Sequence, residues 1–137
     1  MAREPSYTIG IEEEYFIVDR ETRDLVRDMP DGLLTACEEI TEGMVSPEFI
    51  RSQIEVGTPV SSSVKEVRAH LAQLRSDVAN VVSEYGLAII SASTHPFAAW
   101  DQQLHTDKTQ YNTLADALQG VVRRLLICGM HVHVGIE

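Results

Sequence analysis

An α+β domain is expected from this chain, because strand-like and helix-like patterns are interspersed along one short sequence. Three segments carry that expectation. Residues 7–19 are rich in aromatic and β-branched side chains, as a strand requires. Within residues 63–85, Val64, Val67, Leu71, Leu74, Val78, Val81 and Tyr85 recur at spacings of three and four, the stripe of a helix packed along one face. Residues 87–93 follow directly as a short apolar run, suited to a buried strand.

The remaining elements fall between these. Residues 19–24 are polar and read as a turn, with Leu25, Val26 and Arg27 returning as a hairpin partner. Asp31 can cap a short helix that carries Leu33, Leu34, Cys37 and Ile40 inward. Residues 48–57 read as extended, stopped by Gly57-Thr58-Pro59. Ser63 and Glu66 have capping-box spacing at the start of the long helix, and Gly86 suits a left-handed stop at its end. Thr94-His95-Pro96-Phe97 breaks the following strand into a loop. A second helix starts near Thr109 and includes Tyr111, Leu114, Leu118 and Val122, and residues 125–136 read as a mostly apolar strand interrupted near Gly129. No repeat, low-complexity stretch or linker divides the chain, so residues 1–137 are expected to belong to one domain.

A chain of 137 residues is enough for one domain with a core but not for two domains, and 44% hydrophobic residues is ordinary for a globular protein. Acids outnumber bases 21 to 11, for a formal charge of −10. Such a chain repels phosphate backbones, which argues against a nucleic-acid partner. It would repel ATP as well, unless bound cations locally invert the field. A solubilising surface explains the acids equally well, and composition by itself favours that explanation. No apolar run is long enough to cross a membrane, and the first residues lack a signal-peptide core, so a cytoplasmic protein without a membrane partner is expected. Cys37 and Cys128 belong to no CxxC pair and sit in apolar surroundings, where a buried thiol is the expected role.

Chemistry concentrates in three places. Glu12, Glu13 and Glu14 are consecutive acids inside a strand, an arrangement that repels itself and disfavours the strand. Alternation puts Glu12 and Glu14 on one face roughly 7 Å apart, where they can share a cation or hold two adjacent ones. A solvated edge strand is the competing explanation, and the motif alone does not choose. Glu13 falls on the face of Ile9, Ile11 and Ile17, with no evident partner. Glu48 and Glu55 flank a second apolar segment, but on a straight strand they would face opposite sides and converge only through a bulge or bend. Each is an ordinary surface acid if taken alone. The third place is Met130-His131-Val132-His133-Val134, where His131 and His133 share one face. Two imidazoles in register suit a metal or a phosphate, although a lone histidine there would more often be structural. Cys128 with the two histidines raises a zinc site as a further alternative, but no paired knuckle completes four ligands, and carboxylates on other strands suit Mg²⁺ or Mn²⁺ better. The P-loop, the dinucleotide-binding glycine turn and the nucleophile elbow are all missing from the sequence. Carboxylates, imidazoles and metal ions are left to carry any chemistry.

Four segments in order, Thr8-Ile9-Gly10-Ile11-Glu12-Glu13-Glu14-Tyr15, Gln53-Ile54-Glu55-Val56-Gly57-Thr58-Pro59, Thr94-His95-Pro96-Phe97-Ala98 and Gly129-Met130-His131-Val132-His133-Val134-Gly135, resemble the YbdK-type carboxylate–amine ligases of glutamate–cysteine ligase family 2. The match runs from about Thr8 to the last residue; any one motif is common, and the ordered set is specific. The resemblance implies a glutamine synthetase-like catalytic domain, in which a mixed or antiparallel curved sheet with packed helices holds the site on its concave face. It implies ATP-dependent joining of a carboxylate, typically glutamate's, to cysteine or another amine through an acyl phosphate, with Mg²⁺ or Mn²⁺ bridging the phosphates. It further implies Glu12, Glu14, Glu48, Glu55 and His131 as metal ligands. His133 belongs to the same motif, and Thr94 and His95 lie on a loop that the resemblance places near substrate or nucleotide.

Members of that family are considerably longer than this chain. The expectation is therefore the N-terminal part of one catalytic domain, whether an engineered truncation, a split-gene product or a fragment, and weak or inactive alone. Its partners would be ATP, glutamate and an amine, with self-association or a complementary C-terminal chain supplying the rest. The alternatives are an inactive metal- or nucleotide-binding fragment that needs a complementary chain, and a small zinc protein.

Overall fold

In the computed structural model of this chain, residues 5–107 and 126–136 are described. The helix expected from near Thr109, with Tyr111, Leu114, Leu118 and Val122, lies outside them.

The organising element is β1 (Ile9–Asp19), 11 residues long. α1 (Leu33–Ile40), β2 (Val45–Pro47), β3 (Gln53–Gly57), α2 (Val64–Glu84), β4 (Leu87–Ile90) and β5 (Met130–Val134) follow, with a 3₁₀ turn at Trp100–Gln102. β1 is long enough to take β4 and β5 end to end along one edge, while β3 and then β2 line the other. Every pairing among the described strands is antiparallel, so the expected α+β class is the one found.

Side-chain alternation then sorts β1 into two faces. Tyr15 and Ile17 point with Ile54 and Val56 of β3 into the main core, beneath Leu33 and Cys37 of α1 and Leu71, Leu74, Val78 and Val82 of α2. On the other face, Phe16 and Val18 join Leu25, Ile50, Leu126 and Cys128 in a second apolar cluster. That cluster covers only one end of the face. The other end carries Glu12 and Glu14.

Four expectations need correction. Residues 48–57 are not one extended segment: the chain turns through 48–52, and β2 and β3 form a hairpin with Ser46 opposite Glu55. Asp31 does not cap α1, whose N-cap is Gly32 at φ 81° with no side-chain hydrogen bond. Ile40 is 53% exposed, because the buried place one turn beyond Cys37 is taken by Thr41, whose hydroxyl donates to the Cys37 carbonyl. The return strand at Leu25 reduces to a bridge with Val18.

α2 follows its stripe closely. Ser63 caps it by accepting from the Glu66 N–H, while the Glu66 carboxylate reaches back to Ser62 rather than to Ser63. Val64 at the first turn and Tyr85 after the last stay exposed, and Val82 is the last fully buried contact. Gly86 at φ +73° then reverses the chain into β4, a conformation that L side chains rarely adopt.

Candidate functional site

β1 presents Glu12 and Glu14 on the face away from α1 and α2. β3 lies beside it with Glu55 directly opposite Glu14, and β5 lies on the other side with His131 directly opposite Glu12. Antiparallel partners share a face, so local pairing already gathers four of the five expected metal ligands. The fifth arrives by the β2–β3 turn, where the Glu48 N–H donates to the Gln53 carbonyl at 3.2 Å and brings Glu48 alongside β3. The bend that a straight strand lacked is this turn.

Two donor groups result. Glu12, Glu55 and His131 each offer one ligand atom, all within 4.8 Å of one another, and Glu14, Glu48 and Glu55 form a second such group. Glu55 belongs to both. Its carboxyl is pushed above the usual range, first by burial and then by the negative charges of Glu12, Glu48 and Glu14. Glu12 moves the other way: the hydrogen bond from His133, 3.0 Å from its oxygen, holds its carboxyl below the usual range, aided by His131 at 3.4 Å. The centre of the cluster is thus a concentration of negative charge that a cation would relieve.

The surrounding groups orient these acids. One Glu14 oxygen accepts from the Gln53 side-chain amide at 2.8 Å and from the Gly129 N–H at 2.7 Å. Gln53 also donates to the Ile127 carbonyl, so it ties β3, β1 and the approach to β5 together. One Glu48 oxygen accepts from the Phe49 N–H.

Glu13 finds its partner on the opposite face. It is 1% exposed, and Arg75 of α2 grips both its oxygens through Nε and Nη2 at 2.6 and 2.5 Å. The Tyr15 hydroxyl and Ser91 donate to the same carboxylate. Burial would raise the Glu13 pKa, but the bonds from Arg75 and then Tyr15 hold it below the usual range. Burial, and then the Glu13 hydrogen bond, push the Tyr15 phenol up.

His95 and Thr94 stand apart from the acids. His95 is buried, its Nε2 donating to the Arg23 carbonyl while Nδ1 accepts from the Ala98 N–H and, at 3.4 Å, the Phe97 N–H. Its ring packs edge-on against Phe97 and Phe16. With both nitrogens engaged, His95 holds a loop, and Thr94 beside it is exposed. Cys128 lies in the apolar cluster beneath Phe16, its thiol pushed up to about 12 chiefly by burial. Among the described residues it joins neither donor group.

Sequence reasoning missed Gln53 and Arg75. Gln53 was findable, since it lies two residues before Glu55 and so shares its face. Arg75 had a fainter signal: it borders Leu74 and Val78 on the helix stripe, where a cation facing a strand with three acids has an obvious mate.

Comparison with solved structures identifies the fold. A glutamate–cysteine ligase of Francisella tularensis in complex with AMP matches 100% of this chain and 28% of its own, with TM-score 0.73 at 17% identity. A bifunctional glutathione synthetase of Pasteurella multocida matches 98% of this chain and 17% of its own, with TM-score 0.71 at 17% identity. This is the fold of a glutamate–cysteine ligase, present here in part. Sequence makes the finer assignment: the glutamate–cysteine ligase family 2 profile matches residues 8–137, and the chain belongs to that family. A relative in Paracoccus denitrificans, provisionally named glutamate–cysteine ligase 2, is 52% identical over 100% of this chain and 36% of its own length. One in Rhodospirillum rubrum with the same provisional name is 54% identical over 98% of this chain and 36% of its own. The chain therefore spans about a third of the length of these relatives.

Proposed function

We propose that residues 1–137 form the N-terminal part of one catalytic domain in an ATP-dependent carboxylate–amine ligase. The substrates are glutamate and cysteine, or another amine, and the cofactor is Mg²⁺ or Mn²⁺. The observation that carries this reading is the pair of donor groups meeting at Glu55. Four carboxylates and one imidazole, with no thiolate, are a donor set for hard divalent cations. The excess negative charge pressing on Glu55 is what such cations would neutralise.

Glu12, Glu55 and His131 would hold one cation, and Glu14, Glu48 and Glu55 a second. When bound, such cations would supply positive charge that offsets the negative charge developing on the transferred phosphate. In the proposed reaction a side-chain oxygen of glutamate attacks the γ-phosphorus and ADP leaves. The amine nitrogen then attacks the acyl phosphate carbon, expels phosphate and gives up a proton. The chain's own residues prepare for this. Gln53 and the Gly129 N–H fix one Glu14 oxygen, and His133 fixes one Glu12 oxygen, so that the carboxylates are aimed before a ligand arrives.

The test is phosphate release from ATP with Mg²⁺, glutamate and a panel of amines, on this chain and on the longer Paracoccus relative. Release from the relative that requires both glutamate and one amine supports the ligase reading and names the acceptor. In that protein Glu55→Gln at the matching position should lower turnover about 100-fold with the fold intact, because it removes a shared metal charge but keeps the shape. Undiminished turnover would remove Glu55 from the metal set. If this chain binds metal but releases phosphate only with a complementary chain, the binding-fragment alternative describes it.

A further inference from the structure

Arg75 stands on the far side of the sheet from the acids, yet one residue links it to them. Glu13 lies between Glu12 and Glu14 in β1, points away from them, and is gripped at both oxygens by Arg75. Tyr15 and Ser91 add two more hydrogen bonds to the same carboxylate, from β1 itself and from the segment after β4. Those four donors come from three different elements and pin the Glu13 side chain, which is 1% exposed.

A pinned side chain constrains its own backbone. In a strand, the pleat at Glu13 sets the direction in which its two neighbours project. A bidentate carboxylate–guanidinium pair is the strongest such pin available, since it fixes orientation as well as distance. A cation site tolerates displacements of only about 0.5 Å before affinity falls. Glu12 belongs to one donor group and Glu14 to the other, so a shift at Glu13 disturbs both.

We infer that Arg75, acting through Glu13, is a positioning residue for the divalent-cation site: it locks the β1 pleat so that Glu12 and Glu14 meet Glu55. The inference rests on the metal-binding reading above. Arg75 touches no proposed ligand atom and takes no part in the chemistry.

Charge and position have opposite signs here, which makes the inference testable. Arg75 is a cation near a cation site. Removing it weakens the repulsion felt by a metal ion, so through-space electrostatics would tighten binding. Loss of positioning would weaken it. The experiment is titration of this chain with Mn²⁺, read by the loss of the free-ion paramagnetic signal, for wild type, Glu55→Gln, Arg75→Met and Arg75→Lys. Circular dichroism on the same samples establishes that each is folded.

The expected result is binding by wild type, its loss in Glu55→Gln, and at least about tenfold weaker binding in folded Arg75→Met. Arg75→Lys keeps the charge but cannot grip both oxygens in parallel, and it should also bind more weakly. If Arg75→Met does not fold, Arg75→Lys decides alone. Equal or tighter binding in the folded Arg75 variants, with Glu55→Gln still impaired, overturns the positioning role and leaves the metal reading intact. No binding by wild type, or undiminished binding by Glu55→Gln, overturns the metal reading and the positioning role with it.

Discussion

Glu13 shows how one buried charge is made tolerable. A carboxylate removed from water costs several kcal/mol unless its oxygens are paired and bonded, and here Arg75, Tyr15 and Ser91 supply both. The Arg75 side chain is 47% exposed, so solvent screens part of the ion-pair gain. Glu13→Ala should therefore destabilise the fold by about 2–3 kcal/mol, mostly through the stranded Tyr15 hydroxyl and the vacated volume, as read from urea unfolding. The pH dependence has a definite sign. A carboxyl held below its ordinary value, near 4.5, stabilises the fold above that pH and loses its contribution as pH falls through the depressed folded value. As the pH falls below the ordinary 4.5, wild type should lose urea resistance more steeply than Glu13→Gln, which cannot titrate there. Parallel slopes would show that Glu13 is not the source.

At the scale of elements, α2 carries the core and is held at both ends by local devices. Ser63→Ala removes the oxygen that accepts from the Glu66 N–H and should cost about 1 kcal/mol. Gly86→Ala forces a Cβ into a left-handed residue at φ +73° and should cost about 1–2 kcal/mol. The two sites lie at opposite ends of a 21-residue helix with no shared partner, so their losses should add in the double variant to within about 0.5 kcal/mol. A large shortfall would mean that the helix frays as a unit. β1 is held differently, by partners on both edges, and its alternation separates the roles of Glu12 and Glu14 from that of Glu13.

For the whole molecule, the acidic excess and the site are connected. A formal charge of −10 is borne by a chain whose sheet gathers four carboxylates on one face. Divalent cations should stabilise this protein beyond any effect of ionic strength. At a Mg²⁺ or Mn²⁺ concentration about 100-fold above the dissociation constant the gain is about 2.7 kcal/mol, visible as a rise in melting temperature against a matched sodium control. A chelator should reverse it, and Glu55→Gln should be insensitive to either. Equal melting in matched sodium and magnesium would argue against the cation site. No helix among the described residues is long and apolar enough to cross a membrane.

Much of this molecule was readable from the sequence because the relevant physics is local. The period of two along β1 assigns Glu12 and Glu14 to one face, and the His131–His133 spacing does the same on β5. The stripe from Val67 to Val78 and the signals at Ser63 and Gly86 define α2 nearly to its ends. What remained depended on which segments meet. Glu48 joins the acids only because the chain turns back between β2 and β3, and no local pattern demanded that turn. Glu13 and Arg75 lie 62 residues apart, and their pairing exists only once α2 is laid across the sheet. His95 has the same side chain whatever it serves, and its backbone partners at Arg23 and Ala98 are visible only in three dimensions. Alternation and capping are properties of neighbours in sequence, so the chain alone determined the faces and the helix. Partnership is a property of neighbours in space, so only the tertiary structure decided which charges are anchored and which are gathered at Glu55.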